Sequence, residues 1–423
     1  MIEISPNQTN ASPAQNAENP SSLSRRQFLA QTGAAVVACS LVQPGQVKGA
    51  EANSKINVAL LGCGGRGQWI ADLFQKHGGY QVSAVYDYFQ DKVDAAGQRF
   101  QVEVGRRYTG LKGYLRLLEQ KTVDAVIIQS PPYFHPEQAA AAVEAGRHVY
   151  VAKPIAVDVP GCMTIEESGA KATAKKLCFL VDFQTRAMPA YQEAVKRVHR
   201  GDIGRIISGE ATYQTGAIFQ QVDAQYRKNP QSSEARLRAW GTDRVLSGDI
   251  ITEQNIHALD VAAWILNAAP LSAYGHGGRA REYFGSCWDH FAVIYYYPNN
   301  VLLSFSSKQV GFGWDDIQCR VYGSEGTIDT HYGGKVTVAN REEPYNGGET
   351  KAIYQEGAVR NIAAFHEQIV QGDHTNATVA PSVRSNLTTI LGRTAAYRRA
   401  EVTWDQMIQA NEKWDADLKG MQA

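Results

Sequence analysis

Glu253, His257 and Asp260 fall at i, i+4 and i+7, a spacing that lines one face of a helix with titratable groups. Groups aligned this way can share and relay a proton, the task of a general acid or base. Ile256, Leu259 and Ala263 recur at helical spacing on another face, so the segment Ser247–Trp264 reads as helix. Two plainer readings compete: an exposed Glu–His ion pair, and a metal site. No second cluster of ligands in the sequence supports the metal, and none is expected.

A second pattern lies far upstream. Gly62-Cys63-Gly64-Gly65-Arg66-Gly67 follows the apolar run Ile56–Leu61 and precedes an amphipathic stretch through Ile70, Leu73 and Phe74. Glycines there allow a tight turn, approach of backbone to a pyrophosphate, and close packing of helix on strand; the helix N-terminus faces the phosphates. The next strand, Val82–Tyr86, ends at Asp87, about twenty residues past the last glycine. An acid there accepts hydrogen bonds from the ribose hydroxyls and repels a 2′-phosphate, which predicts NAD over NADP. Arg66 either neutralises a 2′-phosphate or contacts the pyrophosphate. The plainer alternative is a glycine turn followed by an unrelated strand-end acid.

These residues need a scaffold, and the surrounding pattern supplies one. Strands are predicted at Val123–Ile128, stopped by Ser130-Pro131-Pro132, at His148–Val151, running into Ala152-Lys153-Pro154, and at Leu177–Phe183. Helices are predicted at His135–Ala145 and around Cys162–Lys176. Repeated β-α-β units give a doubly wound parallel sheet over residues 54–183, with ligands at the carboxyl ends of the strands. Residues 184–423 read as an α+β domain with a mainly antiparallel sheet. Phe291–Tyr297 with Val301–Phe305, and Cys319–Tyr322 with Thr327–Asp329, look like hairpins. Ala217–Val245 is polar and poorly periodic, and reads as a long loop, a lid or a disordered insertion.

The chain has 423 residues, room for two large domains. Lys plus Arg number 42 and Asp plus Glu 42, so no basic surplus invites a nucleic acid. Six cysteines without a C-x-x-C pair argue against a zinc ribbon or a disulfide scaffold. No apolar run reaches the roughly 18–20 residues of a membrane span. Residues 1–53 read as an address: a tail expected to be disordered, then Ser24-Arg25-Arg26-Gln27-Phe28-Leu29 and the modest apolar stretch Ala34–Val42. That is a twin-arginine signal, which predicts an exported, periplasmic or extracytoplasmic protein. Ala50-Glu51-Ala52 offers a cleavage site, while Val36-Val37-Ala38-Cys39 resembles a lipoprotein box that would put a lipid anchor on Cys39.

The glycine loop, Ser-Pro-Pro followed by His135, Ala-Lys-Pro after the strand, and Glu-Gln-Asn-Ile-His-Ala-Leu-Asp together resemble the Gfo/Idh/MocA oxidoreductases. The resemblance runs from about residue 54 to a closing segment, Arg393–Trp404. It implies a Rossmann domain, an open-faced C-terminal sheet that also joins subunits, and an NAD contacted by Gly62, Gly64, Gly65, Arg66, Gly67, Asp87, Ser130, Pro131, His135 and Lys153, which the twin-arginine route, a carrier of folded proteins, implies is tightly bound. The family's catalytic lysine maps to Lys153 and its acid–histidine pair to Glu253 and His257, with the carboxylate expected to orient the ring and raise its pKa. Gln184, Arg186, Trp240 and Asp260 are the candidate substrate contacts. Three positions depart from the family pattern: Ala152 stands where Glu is common, Glu253 where Asp is, and Pro132 where Asn is frequent. The resemblance implies oxidation or reduction of a sugar or polyol hydroxyl. One alternative is a redox-neutral glycosidase working through a keto sugar. Another is a non-catalytic carbohydrate-binding relative, against which Lys153, Glu253 and His257 argue.

Overall fold

The computed structural model describes residues 55–423. The expectations for Arg25, Arg26, Cys39 and the Ala50–Ala52 site therefore lie outside the described residues. Short apolar runs open the first unit as strands buried on both faces. In chain order these elements are β1 (Ile56–Leu61), α1 (Gly65–His77), β2 (Tyr80–Tyr86), α2 (Gln90–Arg99), β3 (Arg107–Tyr108), α3 (Gly113–Leu118), β4 (Ala125–Ile128), α4 (His135–Glu144), β5 (His148–Ala152), α5 (Val159–Ala174) and β6 (Phe179–Asp182). The sheet order is β3-β2-β1-β4-β5-β6, with every pair parallel. The order reverses between β1 and β4, which opens a crevice beyond the carboxyl ends of the strands. Gly62, Asp87, Gln129 and Lys153 follow β1, β2, β4 and β5, so all four reach that one edge.

The chain continues through α6 (Pro189–Arg200), β7 (Ile206–Thr215), α7 (Gln220–Lys228), α8 (Ser233–Arg238), α9 (Arg244–Ser247), α10 (Asp249–Glu253) and α11 (Ile256–Leu266). Strands β8 (Ser272–Gly278), β9 (His290–Tyr297), β10 (Val301–Gln309), β11 (Asp316–Gly323), β12 (Gly326–His331), β13 (Lys335–Asn340) and β14 (Tyr345–Glu349) follow. The described chain closes with α12 (Ile353–Gln371), α13 (Val379–Arg398), β15 (Val402–Thr403) and α14 (Trp404–Ala410). The second sheet runs β14-β13-β12-β11-β7-β10-β9-β8-β15 and is antiparallel except for the β7–β10 pair. Both expected hairpins are present, with Tyr297 opposite Val301 and Cys319 opposite Thr330. Alternation along β9 buries Phe291, Val293, Tyr295 and Tyr297 beneath α13, and leaves Ile294 and Tyr296 outward.

The last long helices tie the two sheets together. On α12, Phe365 packs edge-on to Phe74 and Tyr150, and the Ile362 carbonyl accepts the Tyr80 hydroxyl at 3.0 Å. On α13, buried Asn386 accepts from the Ile155 N–H and donates to the Ala156 carbonyl, each at 3.1 Å. Arg393 donates to the carbonyls of Val157 and Gly248 at 2.8 and 2.7 Å, one from each half of the chain.

Two expectations are corrected. The segment 217–245 is not a long loop: it holds α7, α8 and α9. Ser232 caps α8 through the Ala235 N–H, and the buried Asp223 carboxylate accepts the N–H groups of Phe284 and Gly285 at 2.9 and 2.8 Å. Such specific polar contacts order a segment that apolar periodicity does not announce. The second correction concerns Ser247–Trp264, which is not one helix. It is broken between Glu253 and Ile256. In a continuous helix the Glu253 carbonyl would accept the N–H of His257; here it accepts Lys153 Nζ at 2.7 Å, and the His257 N–H turns to the Gln254 carbonyl at 3.3 Å.

One half-buried histidine gives the fold a pH limit. His148 Nδ1 accepts the Cys178 N–H at 2.8 Å, stitching β5 to the approach of β6, so this nitrogen must stay unprotonated. Burial, helped by nearby His374, lowers the His148 pKa to about 4. Between its ordinary value of about 6.5 and about 4, the unfolded chain binds a proton that the native chain refuses, so stability falls as pH drops through that window. The urea midpoint is expected to decline from pH 6.5 to 4, and His148→Asn, which keeps an acceptor but does not titrate, should flatten part of that decline. An identical pH dependence in the variant would contradict the assignment.

Candidate active site

The glycine loop is shaped by contacts on two sides and open on a third. Gly62 has φ +98°, and a Cβ there would meet the Ser130 nitrogen at 2.4 Å. A Cβ on Gly67 would lie 1.9 Å from the Gly62 carbonyl oxygen, so strand and helix approach as closely as only glycine allows. At Gly64 and Gly65, by contrast, a Cβ would meet nothing within 4 Å. No side chain among the described residues caps α1 at Gly64, which leaves the N–H groups of its first turn for an anion. A cleft of about 290 Å³ opens here, walled by Gly64, Gly65, Asp87, Gln129, Ser130 and Pro131. Asp87 is braced by the N–H groups of Cys63 at 2.8 Å and Phe89 at 3.0 Å. Burial raises its pKa, and those two N–H groups oppose the rise. These features fit the pyrophosphate and ribose of a dinucleotide.

The far wall of the cleft comes from the second half of the chain, through Leu237, Arg238 and Trp240. Arg238 grips Asp91 at 2.6 and 3.2 Å and lies 3.7 Å over the Phe89 ring. The C-terminal residues close over this wall: the Gln422 carbonyl accepts the Leu111 N–H at 2.9 Å, and the Ala416 carbonyl accepts Arg236 at 2.5 Å. Trp240, expected at the substrate, therefore belongs to the dinucleotide cleft.

Beyond the cleft, at the end of β5, stands Lys153, its side chain 7% exposed. Its amine donates to the Glu253 carbonyl and lies 3.7 Å from the Glu253 carboxylate. Burial lowers the Lys153 pKa and the Arg66 charge adds to that, against the pull of Glu253 and Asp182. Glu253 and His257 do not pair, which corrects the expected stripe. The Glu253 carboxylate is taken by the Gln254 amide, whose oxygen accepts the Tyr213 hydroxyl at 2.7 Å. His257 packs at 5.2 Å on the Tyr332 ring, and its Nδ1 has no partner among the described residues. Its pKa is driven well below the ordinary value by burial, then by Lys153 and Arg66, the reverse of the expected rise. His257 is a neutral ring at neutral pH.

Other expected contacts fall elsewhere. Arg66 donates to Asp182 at 2.9 Å and to the Tyr354 hydroxyl at 2.6 Å. Asp182 ends β6, four strands from β2 in the sheet order, roughly 19 Å at ~4.8 Å per strand. Arg66 thus stands far from Asp87 and joins the electrostatics of Lys153 instead. Asp260 and Arg186 form a bidentate ion pair at 2.9–3.1 Å with the carboxylate fully buried, so they brace α11 rather than offer a free contact. His135 is buried between the carbonyls of Ser130 at 2.7 Å and Pro154 at 2.8 Å, which makes it a brace between the β4 and β5 ends and not a cofactor contact. Gln184 donates to Asp182 at 3.0 Å, and its Oε1 is unpartnered.

Reading the sequence missed the Asp182 hub, which also accepts Asn361 at 2.9 Å. Its signal was the same as that of Asp87, an acid closing a buried strand. It also missed Tyr213, Gln254 and Tyr332, which no local pattern marks. Around Lys153 and the cleft, buried polar atoms of Gln129, Gln184, Thr185, Asn255, His257 and Tyr332 lack partners among the described residues. Native interiors pair such groups, so this cluster suits a ligand rich in hydroxyl and amide groups. Among the described residues no group of three His, Cys, Asp or Glu side chains could hold a metal ion.

A Rossmann sheet with an open glycine loop after β1, an acid closing β2 and a buried lysine after β5 fits an NAD(P)-dependent oxidoreductase. Residues 56–182 match the Gfo/Idh/MocA oxidoreductase family, NAD-binding Rossmann fold, and residues 191–329 match the Gfo/Idh/MocA C-terminal domain. The chain belongs to that family. Inositol 2-dehydrogenase 2 of Saccharopolyspora erythraea is 25% identical over 320 residues, 74% of this chain and 83% of the relative. The scyllo-inositol 2-dehydrogenase (NAD(+)) of Bacillus subtilis is 26% identical over 285 residues, 65% of this chain and 73% of the relative. Levoglucosan dehydrogenase, solved with NADH and levoglucosan, shares the fold with a TM-score of 0.67 at 18% identity, covering 84% of this chain and all of its own.

Asp87→Ala is expected to weaken NAD binding by roughly 1–3 kcal/mol, the range for a charge-assisted hydrogen bond lost at a buried site. The preference against NADP should narrow in parallel. Calorimetric titration with both cofactors checks this, and unchanged affinities for both would remove Asp87 from the ribose site.

Proposed function

We propose that the protein oxidises, reversibly, a secondary hydroxyl of a sugar or polyol, with Lys153 as the group that takes the hydroxyl proton. The observation that carries this reading is the Lys153 amine: buried, at a strand's carboxyl end, and held by a carbonyl among unpartnered polar groups. When bound, NAD supplies the acceptor for the hydride that leaves the carbon. The chain's task is then the proton. A neutral amine accepts it, and burial with Arg66 nearby favours that neutral form. The Glu253 carbonyl fixes one N–H of the amine, and neutral His257, close enough to feel the Lys153 charge, can hydrogen-bond the reacting oxygen. The inositol and levoglucosan dehydrogenases among the similar proteins act on cyclic polyols and sugars by name, which supports the same substrate class here.

Asp87 at the cleft, with Arg66 drawn away to Asp182, favours NAD over NADP. The wall of Leu237, Arg238 and Trp240, together with the C-terminal residues, favours a cofactor that stays bound through many turnovers. That enclosure also supports a second reading, a redox-neutral cycle in which the hydride returns to the same substrate, as in a glycosidase working through a keto sugar. The open face of the second sheet, with Ile207, Tyr274, Ile294, Tyr296 and Leu302 exposed, supports a homo-oligomer formed through that face. The Arg25-Arg26 motif supports export by the twin-arginine route, with a lipid anchor at Cys39 as the variant of that reading. No helix among the described residues is long and apolar enough to cross a membrane.

Native mass spectrometry of the purified protein, followed by product analysis on sugars and polyols with and without added NAD, tests these readings together. A net dehydrogenase should hold NAD and accumulate ketone in proportion to added NAD. Cleavage of a glycoside that does not depend on added NAD would favour the second reading, and no dinucleotide binding with either cofactor would contradict both.

A further inference from the structure

We propose that Phe312 and Trp314, on the loop between β10 and β11, form an aromatic platform that stacks a second sugar ring, so that the preferred substrate is a glycoside or oligosaccharide. The proposal rests on the carbohydrate reading above. Phe312 is fully exposed and Trp314 is 87% exposed. Holding large rings in water is unfavourable, and these two, within three residues of each other, are the most exposed large hydrophobic side chains among the described residues. The rings alternate with Gly311 at φ 73° and Gly313 at φ 90°, and Trp314 itself lies at φ 54°. A bulky residue is strained in that left-handed region, and such strain persists where the surrounding structure enforces it. Lys308 supplies the enforcement, donating to the carbonyls of Gly313 at 3.0 Å and Thr215 at 3.4 Å and lying 3.4 Å from Asp315.

The loop leads into β11, whose first residues connect to the proposed site. Ile317, three residues beyond Trp314, pairs with Tyr213, whose hydroxyl bonds Gln254 beside Glu253. The Ile317 carbonyl also accepts the N–H of Tyr332, whose ring lies 5.2 Å from His257. Three residues of chain span at most about 10 Å, so Trp314 lies within that reach of Ile317, the scale of a second sugar ring. Asp315, Asp316, His331 and Gln214 border the loop, with His331 Nδ1 at 2.9 Å from Asp316. Flat apolar faces rimmed by planar hydrogen-bonding groups match the two kinds of surface on a pyranose, its C–H face and its hydroxyl edge. The apolar surface suited to a second copy of the chain is the sheet's open face, through Ile294, Tyr296 and Leu302, rather than this strand end.

The test compares D-glucose and D-galactose with cellobiose, lactose and maltose, using the full chain with excess NAD added as hydride acceptor and following formation of ketone and NADH. A disaccharide is expected to have a lower KM than its monosaccharide. Trp314→Ala should raise the disaccharide KM by about tenfold (roughly 1.4 kcal/mol), with kcat and the monosaccharide KM little changed, and Trp314→Phe should recover most of the loss. Disaccharide kinetics that are indifferent to Trp314→Ala and to Phe312→Ala overturn the platform while leaving the sugar reading intact. Dissociation of an oligomer by the double variant, with saccharide kinetics unchanged, assigns the rings to a subunit contact and overturns it too. If the parental protein neither oxidises nor cleaves any of these sugars and oxidises no polyol, the carbohydrate reading itself falls, and the platform with it.

Discussion

The hydrogen bond from Lys153 Nζ to the Glu253 carbonyl organises the site. A buried amine must find an acceptor, because leaving its N–H groups unpaired would cost their full desolvation. At 2.7 Å the Glu253 carbonyl supplies one, and in doing so it is withdrawn from the helix. His257 then turns its N–H to Gln254, the helix breaks, and a row of residues that would have shared one face becomes a corner. The carboxylate of Glu253 swings to Gln254 and the ring of His257 is left without a partner at Nδ1. One interaction thus sets the position of the amine and the direction of the acid, while burial makes the histidine neutral.

That bond holds only because both ends are fixed from outside. The backbone just after Lys153 is pinned by Asn386, which satisfies Ile155 and Ala156, and by His135, which lies between Pro154 and Ser130. On the other side, Arg186 and Asp260 lock α11 through a buried bidentate pair. The Arg66–Asp182 pair stands nearby, with Gln184 and Asn361 filling the remaining acceptor sites of the carboxylate. Breaking such a pair by removing one partner is expensive, since it strands a charge in the interior. Its cation lies close enough to bias both Lys153 and His257 toward their neutral forms. The site's acid–base character therefore comes first from burial, with the Glu253 carboxylate pulling Lys153 back toward its charged form and the neighbouring cations pushing both groups toward neutrality.

Legibility in the sequence followed the range of the interactions involved. The β1–glycine loop–α1 unit, Asp87 and the β9–β10 hairpin could be read because each is fixed by residues adjacent in the chain. Lys153 could be located because strand direction alone carries its side chain to the crevice. The Glu253–His257–Asp260 stripe misled because helical spacing assumes a continuous helix, and the break is made by a lysine a hundred residues away. Arg66 pointed to the ribose on chain proximity, yet its partner Asp182 lies at the other edge of the sheet. Trp240 was placed at the substrate because nothing local shows that α8 folds across the adenosine end of the cleft. Asp223, Asn361 and Asn386 work through partners 61 to 231 residues away, a distance over which periodicity is silent.

The central claim is that the Lys153 amine takes the proton while hydride leaves the substrate carbon. Single-turnover formation of reduced nicotinamide by Lys153→Met, on a substrate that the parental protein is shown to oxidise, tests it most directly when the NAD content of each sample is measured alongside. The account predicts a rate lower by about 10²–10⁴ fold with NAD still bound, the usual contribution of a positioned base. A near-parental rate in the NAD-loaded variant would contradict it.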